Sequence, residues 1–273
     1  PEDRDKLTRD YLAIVKSAVK DNKIPAQLIM NIDQTVCHIT PANNYTMAPR
    51  GSAQVPQFGK DDKRAITALL GCTTTGRLLK PQLIYEGRTA RCHPQYDFPL
   101  GWHISQSPNH WSNADTMMEY LEQVLIPYVQ RTRVRLGLPE DQQAMLILDV
   151  FAAHREAKFK EACTDAHITT VYVPASCTTF LQPLDADGGV NHALKNHLAE
   201  QANNFRRQQR RDALDSHGNI RLDWKPETKI SMLKPVHAEW IHKSFEKVKK
   251  DKDLIRKGWE KCGIMDVIKD LVQ

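Results

Sequence analysis

The sequence predicts an α/β protein built on a mixed sheet. Three antiparallel-linked strands plus two parallel strands are flanked by helices, and a helical extension follows at the C-terminal side. Three observations carry this. First, Leu28-Ile29-Met30-Asn31-Ile32-Asp33 and Met145-Leu146-Ile147-Leu148-Asp149 are short apolar runs, each ending on an aspartate, and they read as buried strands. Second, 66–72 and 81–86 are strand patterns joined by the turn Thr73-Thr74-Thr75-Gly76-Arg77, which makes them antiparallel. Third, a strand–helix–strand pattern over 145–173 has links so short that a right-handed parallel crossover is implied.

In chain order, residues 3–22 have a helical period, with Leu7, Tyr11, Leu12, Val15 and Val19 as the apolar stripe. Asn22 and Pro25 stop it. The first strand covers 27–33. Residues 36–64 are rich in Pro, Gly and Asn and predict irregular chain, ending in the charged run Gly59-Lys60-Asp61-Asp62-Lys63-Arg64. Residues 87–112 read as loops holding Trp102 and Trp111. A long helix over 114–137 has Met117, Tyr120, Leu121, Val124, Leu125 and Val129 on its core face. After the strand at 145–150 come a helix near 153–165 and a strand at 168–173. A proline-bounded loop then leads to a long polar helix at about 190–214. Residues 215–225 break the pattern, and 227–273 reads as two or three helices. The expected organisation is an N-terminal helix or linker (1–24), a sheet domain (25–214) and the helical extension (215–273).

The 273 residues are enough to bury a large core. No apolar run is long enough to span a bilayer, and the charged start, Pro1-Glu2-Asp3-Arg4-Asp5-Lys6, is no signal peptide. With no initiating Met, the expectation is an excised piece of a longer chain. Six scattered cysteines, none in a CxxC pair, argue against a zinc knuckle or a dense disulfide framework and for reduced thiols. The net charge of +5 is compatible with a nucleic-acid partner.

The chemistry-bearing residues are Asp33, Asp149 and a third acid in Leu181-Gln182-Pro183-Leu184-Asp185-Ala186-Asp187. Two-metal phosphodiester chemistry needs a few carboxylates fixed around cations about 4 Å apart. Carboxylates are the ligands that magnesium and manganese prefer, and rigid strands suit the tolerance of such a site. The bland alternative for each aspartate is a turn or helix cap.

Asn31-Ile32-Asp33-Gln34-Thr35, Gly59 to Arg64, Leu148-Asp149-Val150-Phe151-Ala152-Ala153-His154 and Leu181-Gln182-Pro183-Leu184-Asp185 together resemble the acidic-triad transposases of the pogo and Tigger branch of the mariner superfamily. The resemblance covers about 25–200 and, more loosely, 236–263. It implies a ribonuclease-H-like fold in which Asp33, Asp149 and Asp185 are catalytic and bind two Mg2+ or Mn2+ ions. It also implies DNA (transposon ends and target DNA) as partner, a homodimer or higher oligomer on DNA, a nuclear location and cut-and-paste strand transfer. Target recognition in that family lies in helix-turn-helix domains that have no room before Asp33, so weak, unspecific DNA binding is expected. His154 matches a family histidine; a helix-start histidine bonding its own turn is the alternative. Between Asp185 and the helix near Val190, Ala186-Asp187-Gly188-Gly189 makes the loop longer than the family pattern. That sets Asp187 against Asp185 as third ligand, and Asp185 is preferred because Pro183 fixes its position. Asp187 is expected to cap the following helix, and the glycines to make the loop pliable.

Two other functions compete. A dehalogenase-like phosphatase would need a nucleophilic aspartate where Asn31 stands, and an amide cannot form the aspartyl-phosphate. A domesticated, inactive DNA-binding or scaffold protein would keep the acids for folding. Arg206, Arg207, Arg210 and Arg211, and Lys243, Lys247, Lys249, Lys250 and Lys252, are candidate phosphate contacts or simply solvated helix faces. Trp102, Trp111 and Trp224 are candidate stacking platforms or core residues.

Overall fold

The computed structural model describes residues 2–41, 62–218 and 227–272. Trp224 and the Gly59–Asp61 part of the charged run lie outside them. A six-stranded sheet has the order β4-β3-β2-β1-β5-β6. Its strands are β1 (Ile29–His38), β2 (Ala65–Thr73), β3 (Gln82–Glu86), β4 (His103–Ser107), β5 (Ala144–Leu148) and β6 (Ile168–Tyr172). β1, β2 and β3 run antiparallel in series. β5 lies parallel to β1 on one side and to β6 on the other, as the short links required.

Two features of the sheet correct the sequence reading. β1 continues past Asp33 to His38, so Asp33 sits in mid-strand rather than at a strand end. β4 lies in the stretch read as loop. It is an edge strand, parallel to β3, and only Ser105 and Ser107 of its five residues are buried. Its sequence, His-Ile-Ser-Gln-Ser, offers almost no apolar alternation to detect.

Helices cover both faces. α1 (Glu2–Asp21) buries Tyr11, Val15 and Val19, while Leu7, expected in the stripe, is 44% exposed. The long helix over 114–136 forms with all six expected core residues buried. Asn113 starts it through a capping box, its side chain accepting from the Thr116 N–H while Thr116 Oγ1 accepts from the Asn113 N–H. Gly137, at φ 63°, stops it in the left-handed region. The helix is α2 (Ala114–Tyr120), a π turn over Leu121–Leu125, and α3 (Ile126–Leu136). Pro127 is the second residue after the π turn, which absorbs the missing N–H and the ring's clash with the preceding turn.

After β5 come a 3-10 turn (Ala152–Arg155), α4 (Ala157–Asp165) and β6, then α5 (Thr178–Leu181) and α6 (Val190–Asp212). The tail forms α7 (Ile230–Lys250), α8 (Lys252–Lys261) and α9 (Ile264–Ile268). One apolar core joins all parts: Tyr11 of α1, the strands, Trp240 of α7, Trp259 of α8 and Ile264 of α9 belong to it. All six cysteines are free thiols.

The charged residues mostly serve the fold. Asp62 is clamped by Arg64 through both carboxylate oxygens and bonded by Thr40. The Arg64 bonds hold its pKa down at about 2, against a small burial cost. Arg64 also reaches the Thr228 carbonyl, so the last part of the charged run ties β2 to the approach of α7. Lys243, Lys247 and Lys249 pair with Glu239, Glu200 and Glu246. Trp102 is buried among Phe98, His242 and Phe245, a core residue, whereas Trp111 is 63% exposed.

His237 of α7 is fully buried and donates from Nε2 to the His38 carbonyl at the end of β1. Burial, opposed by that bond, lowers its pKa to about 4. The unfolded chain's histidine titrates near 6.5, so between pH 6.5 and 4 only the unfolded state takes up the proton. The fold therefore loses stability as pH falls through that window, by about 3 kcal/mol in all. His237→Gln keeps an N–H donor and removes the titration. Urea unfolding at several pH values between 7 and 4 is expected to show a shallower acid loss for the variant, and equal slopes for the two proteins would refute this.

Candidate active site

The site forms where β1 and β5 run side by side. Asn31 pairs with Ile147 in the parallel register, so two residues on the same register sets Asp33 beside Asp149, the first residue after β5. Asp33 and Asp149 are half-buried, and Asp185 is exposed.

The loop carrying Asp185 is fixed by side chains of β1 and α8. Asn31 is fully buried and makes three bonds. Its Nδ2 donates to the carbonyls of Ile147 (3.0 Å) and Ile32 (3.2 Å), and its Oδ1 accepts from the Leu184 N–H (3.0 Å). Gln182 donates to the Ile32 carbonyl at 3.1 Å. On the other side, a Cβ on Gly258 of α8 would stand 2.4 Å from the Pro183 carbonyl oxygen, so only glycine lets helix and loop meet there. Lys261 donates to the Asp187 carbonyl at 2.7 Å.

Gly188, at φ 66°, and Gly189, whose N–H bonds the Ala186 carbonyl, close a tight turn. One expectation about this loop is corrected. Asp187 does not cap α6: the N-cap is Gly189, with no side-chain cap bond.

Asn191, in the first turn of α6, donates from Nδ2 to Asp33 Oδ2, and its buried Oδ1 has no partner. His154 is buried, with Nδ1 2.8 Å from Asp149 Oδ1. Its Nε2 lies 3.3 Å from the Gln34 amide nitrogen, which can only donate. Nε2 is therefore the acceptor, and Nδ1 carries the proton that bonds Asp149. Tyr172 of β6 donates to the His154 carbonyl at 2.7 Å. His154 thus bonds the carboxylate itself and not only its own turn.

The electrostatics separate the acids. Burial raises the Asp33 pKa to about 7, and the negative charges of Asp185 and Asp149 add to this against the Gln34 N–H and the Asn191 amide. Burial also acts on Asp149, but the hydrogen bond from His154 and the Phe151 N–H outweigh it, and its pKa is lowered. Asp185 therefore stands close enough to act on Asp33, and Asp187 is not among the charges that do. Among the described residues, no group of three or more His, Cys, Asp or Glu side chains forms a ready metal cage. The donor set still fits a hard divalent cation: it is all oxygen, it repels itself, and a cation would neutralise it.

The signals for Asn31, Gln34, Gln182 and Asn191 were present as polar residues inside apolar or strand-like patterns. Asn31 stands in the motif that carries the family resemblance and excludes an aspartyl-phosphate, but its hold on the loop has no local signal. His192 is exposed and His197 pairs with Glu200, so neither contributes to the site.

The family model for DDE superfamily endonucleases matches residues 63–259, and the chain belongs to that family. It is 29% identical over 241 residues to the Pogo transposable element with KRAB domain of Mus musculus, covering 88% of this chain but only 36% of that protein. Among solved structures it resembles the Mos1 transposase paired-end complex with left transposon end, with a TM-score of 0.56 at 12% identity, over all of this chain and 63% of that one. It likewise resembles the Mos1 mariner paired end complex with Mn, with a TM-score of 0.53 at 12% identity, over all of this chain and 64% of that one. The fold is thus the ribonuclease-H-like one that the sequence resemblance implied. Among the described residues, no helix is long and apolar enough to cross a membrane.

Proposed function

We propose that this chain is the catalytic domain of a pogo-like cut-and-paste DNA transposase, in which Asp33, Asp149 and Asp185 hold divalent metal for phosphodiester cleavage and strand transfer. In this reading residues 25–214 carry the chemistry, and 1–24 and 215–273 brace them. The observation that carries it is the self-repelling set around β1 and β5, which leaves Asp33 poised to exchange a proton for a cation. Two bound Mg2+ or Mn2+ ions would supply activation of the attacking oxygen and stabilisation of the leaving one. The manganese-bound Mos1 complex is consistent with that metal. Asn191 aligns the Asp33 carboxylate, and His154, held by Gln34 and Tyr172, aligns that of Asp149. Asn31 and Gln182 hold the loop that presents Asp185. DNA as substrate, an oligomer on DNA and a nuclear location belong to the same reading; the Mos1 neighbour bound to its left transposon end supports the first of these.

The test is manganese-dependent nicking of supercoiled plasmid. Wild type is expected to nick, and Asp149→Asn to fall to background. Asp185→Ala is expected to lose activity by at least about a hundredfold with little change in melting temperature. Asp187→Ala should stay within about twofold of wild type, because the Lys261 bond goes to its main chain. The reverse pattern for the two variants would move the third ligand to Asp187. A silent wild type would favour a domesticated scaffold.

A further inference from the structure

A cleft of about 480 Å³ opens directly after Asp149 in the chain, lined by Val150, Ala152, Arg155, Glu156, Ala157 and Lys160. It takes no part in holding the acids. We propose that it seats the sugar–phosphate backbone of the DNA strand flanking the bond to be cut, with Arg155 and Lys160 as the phosphate contacts. This rests on the function proposed above and adds the surface that orients its substrate.

Arg155 and Lys160 are exposed, and neither has a carboxylate partner among the described residues. This sets them apart from Lys243, Lys247 and Lys249, whose charges are already matched. Both are held in fixed relation to the acids. Arg155 follows His154, which bonds Asp149 by its ring and Tyr172 by its carbonyl. Lys160 lies 5.9 Å from the centre of the same Tyr172 ring. A phosphate gripped here is therefore indexed to Asp149 through two hydrogen bonds and one ring.

The remaining lining narrows the ligand. Ala152 and Ala157 are small and let a backbone approach. α4 begins at the cleft without a side-chain cap, which leaves N–H groups for an anion. Glu156 adds one negative charge, so the two cations outnumber it. No aromatic ring lines the cleft, so nothing there stacks on a base, and its two cations are the side chains that most often contact phosphate. The contact is to backbone and independent of sequence.

The test is fluorescence anisotropy of a labelled DNA duplex with a recessed end, in calcium and over a salt series. Arg155→Ala/Lys160→Ala is compared with wild type and with Lys158→Ala, an exposed lysine of the same helix outside the cleft. The double variant is expected to bind about tenfold more weakly, with the log–log salt slope shallower by about two. Lys158→Ala should match wild type in both. Melting temperatures should agree, since all three side chains are exposed. Unchanged affinity and slope in the double variant would overturn the proposal, as would an equal loss in Lys158→Ala or no binding by wild type. The two readings fail separately. Cleft-dependent binding without nicking refutes the nuclease alone, and nicking with cleft-independent binding refutes the cleft alone.

Discussion

Asp33→Asn is expected to make the metal-free protein more stable at pH 8 and to abolish its nicking. The Asp33 pKa is raised from 3.8 to about 7, chiefly by burial and then by Asp185. The sign follows from proton binding. Between about pH 4 and 7 the folded state keeps a proton that the unfolded chain has lost, so stability falls as pH rises through that window. Above pH 7 the full cost is present, on the order of 4 kcal/mol. An amide at 33 removes the charge and keeps an acceptor for Asn191. Part of the cost returns as weaker bonds from Asn191 and the Gln34 N–H, leaving a net gain of about 2 kcal/mol, or about 5 °C in melting temperature. The same change removes the most buried of the three carboxylates. Millimolar manganese should raise the melting temperature of wild type, because it binds only the folded state, and should leave the variant unmoved. Wild type and variant melting alike at pH 8 without metal, or shifting equally with manganese, would show that Asp33 carries no unfavourable charge and no metal.

Much of this site was legible in the sequence because it rests on periodicity. Two apolar runs ending on aspartates would make Asp33 and Asp149 neighbours if the strands lay side by side, and β1 and β5 do so, with Asp149 near enough to act on Asp33. What the sequence hid depends on tertiary partners. Asn31 reads as a lone polar residue in a strand, yet two of its three bonds reach β5 and a loop more than 150 positions away. Asp187 looked like a helix cap by its place before two glycines, but the turn closes through the Ala186 carbonyl instead. The bracing of that loop by Gly258 and Lys261 has no local signature at all, because both lie in the tail. β4 escaped because an edge strand need not bury alternate residues.

Asn31→Leu is expected to lower stability by about 2 kcal/mol and nicking by at least about a hundredfold. Leucine keeps the branched heavy-atom skeleton of asparagine but is bulkier, so all three bonds go and some crowding is added at this fully buried position. The Leu184 N–H is left buried, and a buried group without its partner costs about 1–3 kcal/mol, partly offset by the added apolar burial. That alone leaves the protein folded. The larger effect is positional. Leu184 precedes Asp185, and its N–H bond to Asn31 fixes the height of the loop above β1. Small displacements of a reacting group cost about a hundredfold in rate. Gln182, which still bonds the Ile32 carbonyl, holds the loop near but not in register. Manganese should therefore still stabilise the variant, at a concentration about tenfold higher. Ile264→Val, in α9, which packs on α1 and α8, supplies a control with a stability loss of about 1 kcal/mol. It should nick like wild type. Asn31→Leu retaining wild-type nicking would show that the loop finds its place without Asn31, and an Ile264→Val protein equally inactive would trace the loss to stability and not to position.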